Sequence, residues 1–90
     1  LVVHESRTYT AHRQESSILV HGPDGERLAR IGRAGEGPGE FRGLGSIGFL
    51  GDTLWARDYQ LNRISYFTPM GELIRTITVP LRMRESPDEP

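Results

Sequence analysis

Asp58 and Arg63, which stand at either end of one short segment, are the first candidates for chemistry. A carboxylate can accept the amide protons of a turn, and a guanidinium can fork onto a carboxylate. As a catalytic group Asp58 would be a general base, but its motif holds no second group that could tune its pKa. We therefore expect a structural ion pair in which Arg63 binds Asp58.

The three histidines, His4, His12 and His21, are candidates for metal binding. Their spacings of eight and nine residues place them on different strands or turns, unlike the closer spacings that put two ligands on one face. The sequence therefore predicts neither a metal site nor a cofactor. His4 stands next to Glu5 at the end of a predicted strand.

The glycine-rich run from Gly32 to Gly45 is a candidate for phosphate binding. A Walker loop needs Lys and then Ser or Thr after its last glycine, and a dinucleotide-binding loop needs a strand before it and a helix after it. Neither context is present, and Glu36 and Glu40 would repel an anion at close range. We expect instead an ordered crossover with Phe41 as an apolar plug, in which the glycines permit positive backbone angles.

Composition excludes other kinds of chemistry. The 90 residues include 11 basic and 12 acidic side chains, for a net charge of -1, so no broad positive field attracts duplex nucleic acid or an anionic membrane. The absence of cysteine excludes disulfides, thiolate nucleophiles and Cys-ligated zinc. The apolar runs are too short for a membrane span or for the core of a signal peptide.

An internal repeat supplies the elements that position these residues. A shift of 46 positions aligns residues 23–26 with 69–72, Tyr9 with Trp55, and Ile18 with Ile64. Each copy contains four short runs rich in β-branched or aromatic residues and separated by turn residues. In the first copy the predicted strands are 1–4, 7–11, 17–21 and 27–31, and in the second they are 46–50, 53–57, 63–67 and 73–79.

No stretch has sustained helical periodicity, and Pro69 and Gly71 would break the one segment that could be forced onto a helix. In the last turn of the second copy, Pro69 presets one backbone angle and Gly71 accepts a positive one. The sequence therefore predicts an all-β chain of two four-stranded antiparallel sheets.

Three motifs in order connect this pattern with a known family. The glycine-rich run ends in Pro-Gly-Glu-Phe at residues 38–41, the turn headed by Asp58 is followed by Asn62 and Arg63, and the next turn is Pro-Met-Gly-Glu at 69–72. In these motifs, from Pro23 to Thr78, the chain resembles NHL-repeat β-propellers and related bacterial six-bladed propellers.

The resemblance implies that each sheet is a propeller blade and that the chain is part of a larger, six-bladed propeller. It divides the chain into a degenerate first blade (1–31), a glycine-rich inter-blade crossover (32–45), a second blade (46–79) and a tail or start of a next blade (80–90). The first blade is degenerate because it has His12, Ser17 and His21 where the second has Asp58, Arg63 and Phe67. Because two blades cannot close a ring, the remaining blades would come from a longer chain or from a homotrimer.

The function that the resemblance implies is a non-enzymatic scaffold that recognises a protein, peptide or glycan. It also implies a place outside the cytoplasm, in the periplasm or at the cell surface. The alternative is part of a propeller enzyme, a lyase or hydrolase with a metal in the central channel. That alternative needs His or Asp residues converging from several blades, and two blades offer few of them.

Six residues are therefore predicted to have structural roles. Phe41, Trp55 and Phe67 are expected to be buried together with Ile64. Trp55, like its equivalent Tyr9, is expected to fill the interface between stacked blades; a stacking platform for bases or sugars is the alternative. The complete set is Phe41, Trp55, Asp58, Arg63, Phe67 and Gly71.

Overall fold

The computed structural model describes residues 1–79, which form two four-stranded antiparallel sheets and no helix. The all-β prediction is thus confirmed, while the predicted tail, 80–90, lies outside the described residues. The first sheet contains β1 (Val2–His4), β2 (Arg7–His12), β3 (Ser17–His21) and β4 (Arg27–Ile31) in that order. The second contains β5 (Leu44–Leu50), β6 (Thr53–Asp58), β7 (Arg63–Phe67) and β8 (Leu73–Thr78).

β5 begins two residues earlier than its predicted start, inside the segment assigned to the crossover. Leu44 pairs with Asp58, and the register then shifts before Ile47 pairs with Ala56. The strand therefore contains an irregularity of the kind that lets a chain bend while it stays in a sheet. The sequence pattern missed this start because Gly43 and Gly45 resemble a turn rather than a strand.

The repeat of 46 residues is also a repeat of strand register. Tyr9 pairs with Val20 in the first sheet, and the equivalent Trp55 pairs with Tyr66 in the second. Both sheets have a register shift next to the last residue of their third strand. The two copies are therefore the same supersecondary unit, and each residue in one sheet has an equivalent register position in the other.

Gly71 is required by the turn between β7 and β8. Its backbone angle φ is +102°, a region that residues with a side chain rarely adopt. A Cβ atom at this position would also lie 2.7 Å from Cγ1 of Ile31 in the first sheet. The predicted structural role of Gly71 thus has two physical causes, the turn angle and the close approach of the neighbouring sheet.

One hydrophobic core lies between the two sheets. The first sheet contributes Tyr9, Ile18, Val20 and Ile31, the second contributes Leu54, Ala56 and Phe67, and the segment around the start of β5 adds Phe41 and Leu44. Burial alternates along β6, because only one face of that strand packs on the first sheet. Within residues 1–79, no helix is long and apolar enough to cross a bilayer.

Candidate functional site

Asp58 ends β6 and is almost completely buried, with 1% of its surface exposed. Its carboxylate accepts hydrogen bonds from the backbone amides of Arg42 (2.8 Å), Gly43 (3.0 Å), Gln60 (3.0 Å) and Leu61 (2.9 Å). Burial by itself raises the pKa of Asp58, but the four amide bonds together outweigh it and leave the pKa below its usual value. The carboxylate is therefore held ionised and joins the crossover to the turn after β6.

Arg63, the first residue of β7, bonds to the crossover rather than to Asp58. Its guanidinium donates to the carbonyl oxygens of Glu36 (3.1 Å), Gly37 (2.6 Å) and Glu40 (2.9 Å). The predicted ion pair is therefore wrong, although the two residues are direct partners across β6 and β7. The reason is that the crossover contains backbone amides and carbonyls that have no partner in a sheet, and these groups bond to the side chains of Asp58 and Arg63.

The crossover also has a polar contact of its own. The carboxylate of Glu40 accepts a hydrogen bond from the amide of Gly37 (2.9 Å) and another from the guanidinium of Arg33 (2.8 Å). The amide bond, and then the bond from Arg33, lower the pKa of Glu40. Glu36 and Glu40, which the sequence presents as groups that repel an anion, thus bond to groups of the crossover itself.

Phe41 anchors the crossover in the core. It has no exposed surface, and its ring lies 6.1 Å from the ring of Phe67, centroid to centroid. A Cβ atom on Gly32 would lie 2.3 Å from the Phe41 ring, so the backbone passes directly over the phenyl group. The prediction that Phe41 and Phe67 are buried is confirmed, and the described part of the crossover is an ordered segment.

Trp55 and Ile64 are only partly buried, so the prediction that they belong to the core is wrong. Both lie on the face of the second sheet that is turned away from the first, where they line an open hollow of about 390 Å³. The indole of Trp55 lies over Gly48, where a Cβ atom would approach within 2.6 Å of it. The same hollow is lined by Ser46, Leu50, Arg57, Tyr59 and Tyr66. This surface is an aromatic, apolar face with cationic groups among its rings.

The equivalent face of the first sheet is covered. Tyr9, the equivalent of Trp55, has no exposed surface, and its hydroxyl donates a hydrogen bond to the carbonyl of Pro69 at 2.8 Å. The Tyr9 ring also makes an edge contact with Phe49 at 4.8 Å. The first sheet therefore shows what this face looks like when another sheet packs on it.

His12 and His21 are not part of the group of potential metal ligands that contains His4. Among the described residues, the one group of three metal-ligating side chains consists of His4, Glu5 and Asp52. The sequence reasoning missed Asp52. The repeat held the signal, because it aligns Asp52 with Ser6 and so places the β5–β6 turn beside the β1–β2 turn once the sheets stack.

No family model and no curated protein matches this chain. The structure itself defines the class of protein: an all-β repeat of two four-stranded antiparallel sheets that are joined by an ordered glycine-rich crossover.

Proposed function

We propose that this chain contributes two consecutive blades to a larger β-propeller of the NHL-repeat kind, which serves as a non-enzymatic scaffold for recognising a protein, peptide or glycan. One observation carries the proposal: the face that the repeat buries in the first sheet is open in the second. Tyr9, Ile18 and Ile31 are at most 3% exposed. Of their equivalents, Trp55 and Ile64 are partly buried and Ile77 is 39% exposed.

Stacking of a further sheet on this open face is supported by the size and chemistry of its side chains. Large exposed apolar groups are rare in contiguous patches unless something packs on them. Because the strand register repeats, a third sheet placed on the second as the second is placed on the first would cover Trp55 and Ile64 in the same way. Repetition of that step is how a propeller is built.

A second copy of this chain is a poor match for the open face. The covering surface in the existing interface is the inner face of the second sheet. Four residues of that inner face have equivalents on the outer face of the first sheet, which is the surface that a second copy would present. The inner-face residues are Leu54, Ala56, Ser65 and Phe67, and their equivalents are, in the same order, Thr8, Thr10, Leu19 and His21. Polar groups at three of these positions would leave the Trp55 face in contact with side chains that need water. This favours a further blade of the second-sheet type over a homotrimer.

The scaffold role is supported by how the strongest catalytic candidates are used. The carboxylate of Asp58 and the terminal nitrogens of Arg63 bond to backbone groups of the crossover or of the adjoining turn. Asp58 and Arg63 thus stabilise the fold through these bonds. Metal-dependent hydrolysis or elimination by the full chain would instead favour the alternative, part of a propeller enzyme.

The proposal is tested by adding one repeat. In the extended chain, residue 77 is joined directly to a second copy of residues 32–79. Ile77 then precedes the added crossover just as its equivalent Ile31 precedes the original one. The added copy carries Trp55→Phe, so that fluorescence reports only the original Trp55. We expect a blue-shifted emission and weaker acrylamide quenching of that indole than in the present chain.

The matched control is the same extended chain with Leu54→Asp in the added copy, which places a charge on its packing face. Trp55 should then stay as accessible as it is now. Equal quenching in the extended chain and its control would refute the stacking. A stable trimer of the present chain in sedimentation would favour the homotrimeric ring.

A further inference from the structure

A histidine and two carboxylates from different sheets meet at one edge of the molecule. His4 ends β1 and Glu5 follows it, while Asp52 lies in the turn between β5 and β6. Nε2 of His4 is 3.2 Å from Oδ1 of Asp52 and 4.0 Å from Oε2 of Glu5. One ligand atom from each of the three residues lies within 4.8 Å of the others.

The imidazole of His4 is held in place but its Nε2 atom is unsatisfied. The ring stacks on the ring of Phe49 at 3.9 Å with an interplanar angle of 4°, and only 14% of the side chain is exposed. Nε2 is buried and makes no hydrogen bond, since the contact with Asp52 has the distance of an ion pair without the geometry of a hydrogen bond. A buried nitrogen without a hydrogen-bond partner is unusual in a folded protein and calls for an explanation.

We propose that His4, Glu5 and Asp52 bind a divalent transition-metal ion, with Zn²⁺ as the model ion. Two ligand atoms bound to one tetrahedral zinc, each at roughly 2.0–2.1 Å, are roughly 3.3 Å apart. The distance from His4 to Asp52 already matches this edge. Glu5 must approach by roughly 1 Å, which its exposed side chain allows.

The donor set defines the chemical class of the ion. Imidazole nitrogen suits zinc, cobalt or nickel, whereas Ca²⁺ and Mg²⁺ prefer oxygen ligands alone. The hollow beside the site contains the carboxylates of Glu5, Asp52 and Glu72 and one guanidinium, that of Arg7. Arg7 donates to the hydroxyl of Tyr9 at 3.3 Å, and the carboxylates outnumber it, so the local charge favours a cation.

The proposed site would join the two sheets, because His4 and Glu5 belong to the first and Asp52 to the second. An ion that binds only the folded chain stabilises that chain, and the gain grows with the logarithm of the ion concentration once this concentration exceeds Kd. Metal binding should therefore raise the melting temperature as well as give a binding isotherm. The site does not depend on the proposed propeller function, since all its ligands are in the present chain.

The test is titration of the full, EDTA-treated chain with ZnCl₂ by calorimetry and by thermal unfolding. His4→Phe removes the nitrogen and keeps a ring to stack on Phe49. Asp52→Asn changes a side chain that is 81% exposed and should not affect folding. The matched control is His12→Ala, which removes an exposed histidine outside the site.

We expect one equivalent of Zn²⁺ to bind the original chain and the His12→Ala variant alike. In His4→Phe and Asp52→Asn the Kd should rise at least about tenfold, because the first variant loses a ligand atom and the second replaces a carboxylate with a neutral amide oxygen. The zinc-dependent rise in melting temperature should disappear in parallel. Circular dichroism without metal checks that each variant is folded.

Three results would overturn the proposal: no saturable Zn²⁺ binding by the original chain, unchanged binding by His4→Phe, or equal losses in His4→Phe and His12→Ala. Binding of Ca²⁺ as tight as that of Zn²⁺, and unaffected by His4→Phe, would also overturn it, since it would reveal an acidic cluster that does not use the imidazole.

Discussion

Truncation of Phe41 tests whether the crossover is part of the folded core. The ring is fully buried and lies against Phe67 on one side and the backbone of Gly32 on another. Phe→Ala at a buried site costs about 3–5 kcal/mol, a sum of lost transfer energy and of the cavity that remains. We expect a value within that range for Phe41→Ala, because backbone at Gly32 collapses into a cavity less easily than a side chain does.

A loss of this size is a large part of the stability of a small domain, which is about 5–15 kcal/mol. Phe41→Leu is therefore measured as well and should lower the free energy of unfolding by about 1–2 kcal/mol, since most of the volume is kept. Urea unfolding is followed by far-ultraviolet circular dichroism and by Trp55 fluorescence. The two probes should give one transition if the sheets unfold together.

The matched control is Leu50→Ala, because Leu50 is 71% exposed. Surface changes of this kind are usually within about 0.5 kcal/mol. If Phe41→Ala also changes the free energy of unfolding by less than about 0.5 kcal/mol, the crossover is a linker that does not contribute to the core. The inference that it holds the sheets together would then be refuted.

Three further substitutions test the polar contacts. Asp58→Asn should lower the free energy of unfolding by about 1.5–3 kcal/mol, the usual value of hydrogen bonds to a charged group. The pKa of Asp58 lies below its usual 3.8 in the folded chain. The ionised carboxylate therefore stabilises the fold above about pH 4, and this contribution is lost as pH falls through the folded-state pKa. When the free energy of unfolding is measured against pH in acid, Asp58→Asn should lose less of it than the original chain. Arg63→Lys keeps the charge but cannot reach three carbonyls with the same planar fork, so urea unfolding should show a loss of about 1–3 kcal/mol; no change would mean that charge alone suffices. Tyr9→Phe removes the bond to the carbonyl of Pro69 and should cost about 1 kcal/mol, and an equal or higher midpoint in urea would show that this bond adds nothing to the interface.

The order of strands and the repeat could be predicted from the sequence because they are local. A run of β-branched and aromatic residues limited by Gly, Pro, Asp or Asn predicts a strand whatever surrounds it. The equivalence of Gly25 and Gly71 likewise predicts matching turns, and both residues have positive φ angles of 84° and 102°. The burial of Phe41 is predictable for a similar reason, because Phe41 and Leu44 are the two large apolar residues in a segment that consists mainly of glycine and charged residues.

The partners of polar side chains were decided by tertiary structure. Asp58 and Arg63 are the right residues at the right spacing for an ion pair, yet each binds the crossover. A strand pattern gives the face on which a side chain lies, but not which unpaired backbone groups a distant segment brings to it. Partner choice depends on that three-dimensional placement, because a buried amide or carbonyl without a bond is costly.

The same limit applies to Trp55 and to the group formed by His4 and Asp52. The repeat predicts that Trp55 is equivalent to Tyr9, but a residue is buried only if a second surface covers it, and the described chain covers Tyr9 alone. Asp52 is 48 positions from His4 in sequence and reaches it through the stacking of two sheets. Periodicity within a strand thus determined the sheets and their faces, whereas contacts between sheets arose only from packing, which no local pattern encodes.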